Sequence, residues 1–329
     1  MSPAVGLWLL AITLTWPVPA VLARARRLLT VPRAAVVLWQ AVAVAALLAV
    51  FGASLATIQA LVTGLLTADG GRLTGVGELR PTGVLHLSIA VGLIALTVFA
   101  LVRLNFAGVQ VARRLRRHRR RHRDLVDLLS TTGGENVRVL DSGERAYAYC
   151  LPGRDSRVII SDAALRDLTP EQVAAVIEHE RAHLRARHDL LLEFFTVLYE
   201  AAGRRAGTEA ALIQTAVLVE LLADDAARRL YGPQPLIAAL ATMGNSTALE
   251  NPATPKSSHT PAPEAAAGLS DEVVGIGVLP RLRRLVDAPV SVAPPGLAVA
   301  VYLLALALIT VPTVALALPW LTSTYEIIR

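Results

Sequence analysis

The chain has 329 residues, 54% of them hydrophobic and only 18% charged, with a mean hydropathy of +0.51. This composition excludes an ordinary soluble single domain and requires part of the chain to lie in a bilayer. The formal charge of +6 comes almost wholly from arginines beside apolar runs, which marks a cytoplasmic membrane face, so no direct nucleic-acid partner is expected. Cys150 is the single cysteine, so no intramolecular disulfide can form.

Crossing about 30 Å of hydrocarbon takes roughly 20 helical residues, and four stretches qualify: 4–23, 34–63, 83–106 and 296–321. The first is no secretory signal by its polarity, because Met1-Ser2-Pro3 carries no basic side chain while Arg24, Arg26 and Arg27 follow the apolar run. It reads as a retained span with its N-terminus outside. The first connection carries Arg24, Arg26, Arg27 and Arg33 without an acid, whereas the second balances Arg72 and Arg80 with Asp69 and Glu78. After the third span comes the run Arg113 to Arg123, the strongest topological signal in the chain. It holds 107–295 in the cytoplasm and contacts the lipid bilayer, and both termini are then expected outside a bacterial-type plasma membrane.

The domains expected are a three-span membrane region over 1–111, a basic juxtamembrane segment over 112–124, a water-soluble domain over 125–287, and a fourth span with a short tail over 288–329. The soluble part opens with short β-prone runs, Asn136 to Leu140, Ala146 to Leu151 and Arg157 to Ile160, separated by turn residues. Thr169-Pro170-Glu171-Gln172 has the composition of a capping box and starts a helix over 170–187. Further helices are expected over 189–204 and 209–230, the latter stopped by Gly232 and Pro233, and a Pro/Ser/Thr-rich loop with His259 over 251–263. Arg281, Arg283 and Arg284 read as markers of the cytoplasmic end of the last span.

The capped helix carries His179-Glu180-Arg181-Ala182-His183. Histidines four apart project from one helical face, so both imidazoles can reach one ion, and the glutamate beside the first can contact a metal-bound water. This is the HExxH arrangement of zinc peptidases. Catalytic zinc takes three protein ligands and keeps a position open for water, leaving Glu180 to act as general base. The missing carboxylate is offered by Glu220-Leu221-Leu222-Ala223-Asp224 on a separate expected helix. The metal helix carries Glu178, Glu180, Arg181, Arg185 and Arg187, too many charges to lie in lipid, which weighs against cleavage inside the membrane.

The string Ala174 to Leu184, preceded by Val158-Ile159-Ile160-Ser161 and followed by the ExxAD of Glu220 to Asp224, resembles the membrane gluzincins. With three spans, a cytoplasmic domain and a fourth span, it resembles more narrowly the M56 peptidases, the BlaR/MecR antirepressor family. The fold this implies is an α-helical membrane protein of four transmembrane helices with an inserted α+β zincin-type (gluzincin) metalloprotease domain. The resemblance implies Zn2+ as cofactor, His179, His183 and Glu220 as its ligands and Glu180 as catalytic base. It also implies regulated proteolysis in signalling, with a BlaI-like repressor as the protein substrate. The chain stops at Arg329, without the penicillin-binding sensor domain of the β-lactam receptors, so direct β-lactam acylation is not expected. The alternatives are HtpX-like quality control of membrane proteins and, in another class, a non-catalytic sensor or scaffold.

On a helix, positions 220 and 224 share a face while 225 is turned about 100° further round. Glu220 matches the family ligand, and Asp224 is expected to bond a ligand imidazole and fix its tautomer. Asp225 should face elsewhere. His188, five residues beyond His183, is expected in a surface or capping role, and Cys150 as a small apolar side chain. Ala146 to Leu151 reads either as an edge strand able to pair with an extended substrate or as an interior strand.

Overall fold

The computed structural model describes residues 3–68, 81–134, 136–141, 143, 145–153, 155–248, 281–286 and 296–328. The chain divides into two compact units, one of 1–107, 199–211 and 294–329, the other of 108–198 and 212–293. The expected loop over 251–263, His259 included, lies outside the described residues.

The first unit is built of long apolar helices. The first apolar stretch is long enough to span as Ala4–Arg24 but is divided at Trp16 (φ −120°, ψ −74°) into α1 (Pro3–Thr15) and α2 (Pro17–Arg24), because Pro17 has no N–H to continue the ladder. Helix α3 (Pro32–Ala68) follows a 3-10 turn over Arg26–Thr30 and packs against α1 and the last helix of the chain, Leu297–Ile328. Its buried stripe of Ala35, Leu38, Val42, Ala45, Ala49 and Ala53 recurs every three or four residues, and the small side chains let neighbouring backbones approach closely. Trp8 Nε1 donates to Thr57 Oγ1 at 3.1 Å, tying α1 to α3.

Helix α4 (Pro81–Leu129) is longer than expected: it runs 49 residues, carrying the third apolar stretch and the whole basic run without a break. Val84, Leu85, Val91, Leu96, Phe99 and Val102 are all exposed on it, the surface a lipid-facing helix presents. Among the described residues four helical stretches are long and apolar enough to cross a membrane: Ala4–Arg24, Pro32–Gly64, Val84–Leu129 and Leu297–Val314.

The second unit holds a four-stranded sheet of order β1-β2-β4-β3, with β1 (Ser130–Gly134), β2 (Val137–Leu140), β3 (Ala148–Leu151) and β4 (Arg157–Ser161). Strands β2 and β4 pair in parallel, while β1 and β3 run antiparallel to their neighbours. Val158, Ile159 and Ile160 are buried on both faces of β4, as a central strand requires. Among the described residues strand β3 lies at an edge of the sheet and not in its interior. Strand β1 was not expected: its Ser-Thr-Thr-Gly-Gly sequence has neither apolar alternation nor bulk and forms by pairing with β2.

The described helices of this unit include α5 (Asp162–Asp167), α6 (Pro170–Ala186), α7 (His188–Ala201), α8 (Ala206–Tyr231) and α9 (Pro233–Ala248), of which α7 ends beyond the unit's bounds and α8 begins before them in sequence. Helices α5 and α9 were missed because α5 is under two turns long and the proline that stops α8 also opens α9 at its first position. Gly232, at φ +76°, makes the turn between them. Val173, Val176 and Ile177 of α6 pack on Val137, Ala148 and Ile160 of the sheet. A last helical segment, α10 (281–286), precedes α11 (Leu297–Ile328).

Candidate metal centre

The site begins with the start of α6. Thr169 Oγ1 accepts from the Gln172 amide at 3.4 Å and Gln172 Oε1 from the Thr169 amide at 3.0 Å, closing the capping box with Pro170 inside it. Two turns on, burial of Ala175, Val176 and Ala182 fixes the rotation of the helix and so the direction in which its histidines point. His179 and His183 place their Nε2 atoms 3.2 Å apart. Helix α8 supplies the third group: Glu220 Oε2 lies 3.4 Å from His179 Nε2 and Glu220 Oε1 3.4 Å from His183 Nε2.

These are the only described residues in which three metal-ligating atoms converge. Zinc with bonds of about 2.0–2.1 Å and tetrahedral angles needs donor atoms about 3.3 Å apart, so the two imidazoles and the carboxylate fit the ion in both chemistry and spacing. Asp224, one turn beyond Glu220, is 1% exposed and its Oδ1 lies 2.9 Å from His179 Nδ1, the nitrogen that a ligating Nε2 leaves over.

Three neighbours were not expected. Arg187 ends α6 in the left-handed region (φ 50°, ψ 46°), turning the chain so that His188, the first residue of α7, folds back on the site. His188 is buried, and its Nδ1 lies 3.0 Å from His183 Nδ1 with the rings edge-on, so the expected surface or capping role is corrected. Five residues along one helix would have put it off the face. The αL break removes that constraint, and no periodicity signals it.

The second is Cys150, which faces α6 from edge strand β3. Burial pushes its thiol well up, and the charge and hydrogen bonding of Glu180 push it further, so the thiol stays protonated beside the glutamate.

The third is Arg281 of α10, read from the sequence as a marker of the last span. Its Nε donates to Asp224 Oδ2 and its Nη2 to Asp224 Oδ1, both at 2.8 Å, and its Nη1 lies 3.0 Å from Glu220 Oε2. Arg284 makes a second fork on Asp225, Nη1 to Oδ1 at 2.7 Å and Nη2 to Oδ2 at 2.9 Å, so Asp225 is turned from the site as its helix phase requires but is not idle. Leu285 completes the face, buried with Ala175, Ala227 and Leu236. The signal was present as arginines at 281 and 284 with a leucine at 285, the spacing of one helical face opposite the acids of α8.

The charges settle accordingly. Burial disfavours a charged His179, but Asp224 and then Glu220 outweigh it and push its pKa up to about 9. His183 is pushed down to about 3 by burial, reinforced by the positive charge of His179. Burial raises Glu180 to about 7, with repulsion from Glu220 adding to it and the charge of His179 opposing. Glu220 stays well below the carboxylate range despite its burial, held there by Arg281, and Asp224 is lowered against its own burial by His179 and Arg281.

The basic run also has partners inside this unit. Arg119 pairs with Asp189 at 3.3 Å, Arg123 Nη2 donates to the Pro152 carbonyl at 3.2 Å, and His122 Nε2 lies 2.6 Å from the Tyr149 hydroxyl on β3. One face of the run is therefore occupied by the sheet and α7, in addition to any lipid contact.

Neither characterised proteins nor solved structures gave a match to the chain. A family model did: Peptidase family M48, zincin metallopeptidases, matches residues 112–246, the stretch that contains His179, Glu180, His183, Glu220 and Asp224. The match carries the metallopeptidase reading and not the narrower M56 one, and it marks this stretch as a metallopeptidase domain in a chain with several long apolar helices.

Proposed function

We propose that the protein is a membrane-anchored zinc metalloendopeptidase. The observation that carries this is the donor set itself, with His179 Nε2, His183 Nε2 and the Glu220 carboxylate spaced 3.2–3.4 Å apart on two helices and Glu180 between the histidines in sequence. His179, His183 and Glu220 would hold the ion, and Asp224 beside His179 Nδ1 would keep the ring in the tautomer that leaves Nε2 free to ligate. Bound zinc supplies Lewis-acid polarisation of the scissile carbonyl and acidifies the attacking water. Glu180 would take a proton from the attacking water and hand it to the leaving amide nitrogen, the general-base role that its place between the two histidines gives it. The Cys150 thiol donates to the same carboxylate and steadies its orientation. Edge strand β3 offers unpaired backbone groups with which an extended peptide can pair.

Glu180→Gln keeps the shape of the side chain and leaves the three ligands. Its expected result is a protein that retains one zinc per chain and cleaves no peptide bond, with chelator inactivation of the wild type reversed by added zinc. Full activity of the variant would end this assignment. A non-catalytic scaffold would show no metal-dependent cleavage in either protein.

The M48 match is consistent with HtpX-like turnover of many membrane proteins, and the order along the chain of three apolar stretches, the site-bearing segment and a fourth apolar stretch, in which it resembles the M56 peptidases, is consistent with cleavage of a defined cytoplasmic protein such as a BlaI-like repressor. Comparison of the peptides produced by wild type and Glu180→Gln separates them. One defined fragment supports signalling, and many unrelated fragments support quality control.

A further inference from the structure

We propose that Arg281 is a positioning residue of the metal centre, fixing which oxygen of Glu220 faces the ion and which oxygen of Asp224 faces His179. The inference rests on the metal-binding reading of His179, His183 and Glu220. Arg281 lies outside the stretch that matches the peptidase family model, and it comes from a helical segment far along the chain, 57 residues from Asp224.

The guanidinium is planar and presents its donors as a rigid fork, so two bonds to one carboxylate set the plane of that carboxylate. Nε and Nη2 take both oxygens of Asp224, leaving Oδ1 shared with His179 Nδ1 at 2.9 Å. The third nitrogen, Nη1, takes Glu220 Oε2 at 3.0 Å. Oε1, the oxygen beside His183, is then the one left for a metal. One planar cation thus orients the third ligand directly and the first ligand through Asp224. The arginine is itself held: its side chain is 12% exposed, Arg284 clamps the same segment to Asp225, and Leu285 is buried beside it.

The opposite expectation has a physical basis, since a guanidinium close to a dication repels it and its removal would then tighten binding. Two facts decide against that outcome. Asp224 is 1% exposed and would lose the Arg281 donor on each oxygen, leaving a buried carboxylate held only by His179 and free to rotate about that contact. Glu220 would lose the contact that keeps its two oxygens distinct. Loss of such outer partners typically weakens metal binding about 10- to 100-fold.

The test measures zinc affinity of the full-length protein in detergent by chelator competition, together with the visible absorption of the Co2+-loaded protein. Arg281→Ala is expected to weaken zinc binding about 10- to 100-fold and to alter the Co2+ bands. Arg281→Lys, which keeps the charge but not the fork, should recover part of the affinity, and Arg283→Ala, at an exposed position of the same segment, should match wild type. Circular dichroism and hydrogen exchange of the zinc-free proteins separate loss of fold from loss of the site. If Arg281→Ala unfolds, the Arg281→Lys affinity and Co2+ spectrum decide: a wild-type affinity and spectrum there overturn the proposal. Wild-type or tighter zinc binding by folded Arg281→Ala also overturns it while leaving the metal site intact. A wild-type protein that binds no zinc overturns the metal-site reading and this inference with it.

Discussion

His179 belongs to the three-residue group that could hold a metal and is the most basic imidazole in it, pushed up to about 9 by Asp224 and Glu220 against its burial. In the zinc-free protein below that pH its ring carries a proton that zinc must displace, whereas His183, pushed down to about 3, is already neutral. Zinc affinity is therefore expected to fall roughly tenfold per pH unit below about 9, with about one proton released per zinc at neutral pH. The sign for folding is opposite: a raised folded-state pKa stabilises the zinc-free protein fully below the ordinary 6.5, and that contribution is lost as pH rises through about 9. Calorimetry in buffers of different ionisation enthalpy counts the protons. A zinc affinity that does not change between about pH 6 and pH 8.5 would contradict the assignment.

Among the elements, α6 was legible because each of its signals is local. Thr169, Pro170 and Gln172 announce its start within four residues, and its observed span, Pro170–Ala186, departs from the expected 170–187 only at the αL residue Arg187. Segment α10 was not legible as part of the site. Its arginines carry a topological meaning when read along the chain, and only their partners on α8 reveal the second one. Asp225→Asn tests this docking. The pair it weakens is mostly buried, so α10 should be loosened by about 1–3 kcal/mol. Zinc affinity should drop only a few-fold, because the ligand contacts of Arg281 remain. Hydrogen exchange of amides over 281–286 that matched wild type would show that the Arg284 fork does not anchor the segment.

At the scale of the whole molecule, the side of the membrane that the metal centre faces sets which substrates it can reach. The distribution of arginines predicts a cytoplasmic position: Arg24, Arg26, Arg27 and Arg33 sit in the first connection and the run Arg113 to Arg123 follows the third apolar stretch. A reporter fused near Ser257 is expected to behave as cytoplasmic and one near the second connection, around Gly75, as extracellular. An extracellular signal at Ser257 would remove every cytoplasmic substrate from consideration, the BlaI-like repressor included.

The sequence by itself determined the four long apolar stretches, the capped helix and the two clusters His179 to His183 and Glu220 to Asp224, because hydrophobic length, capping and i, i+4 spacing are all local properties of a helix. It also determined that Asp224 and not Asp225 shares a face with Glu220. Only the tertiary structure decided that β3 is an edge strand, since pairing order depends on segments distant in the chain. Only it could bring His188 back onto His183, through a single residue in a backbone conformation that side-chain periodicity does not encode. The same holds for Arg281: an arginine specifies a charge and a fork, and which carboxylates receive them is settled by the packing of Leu285 and the pairing of Arg284, which dock α10 against α8.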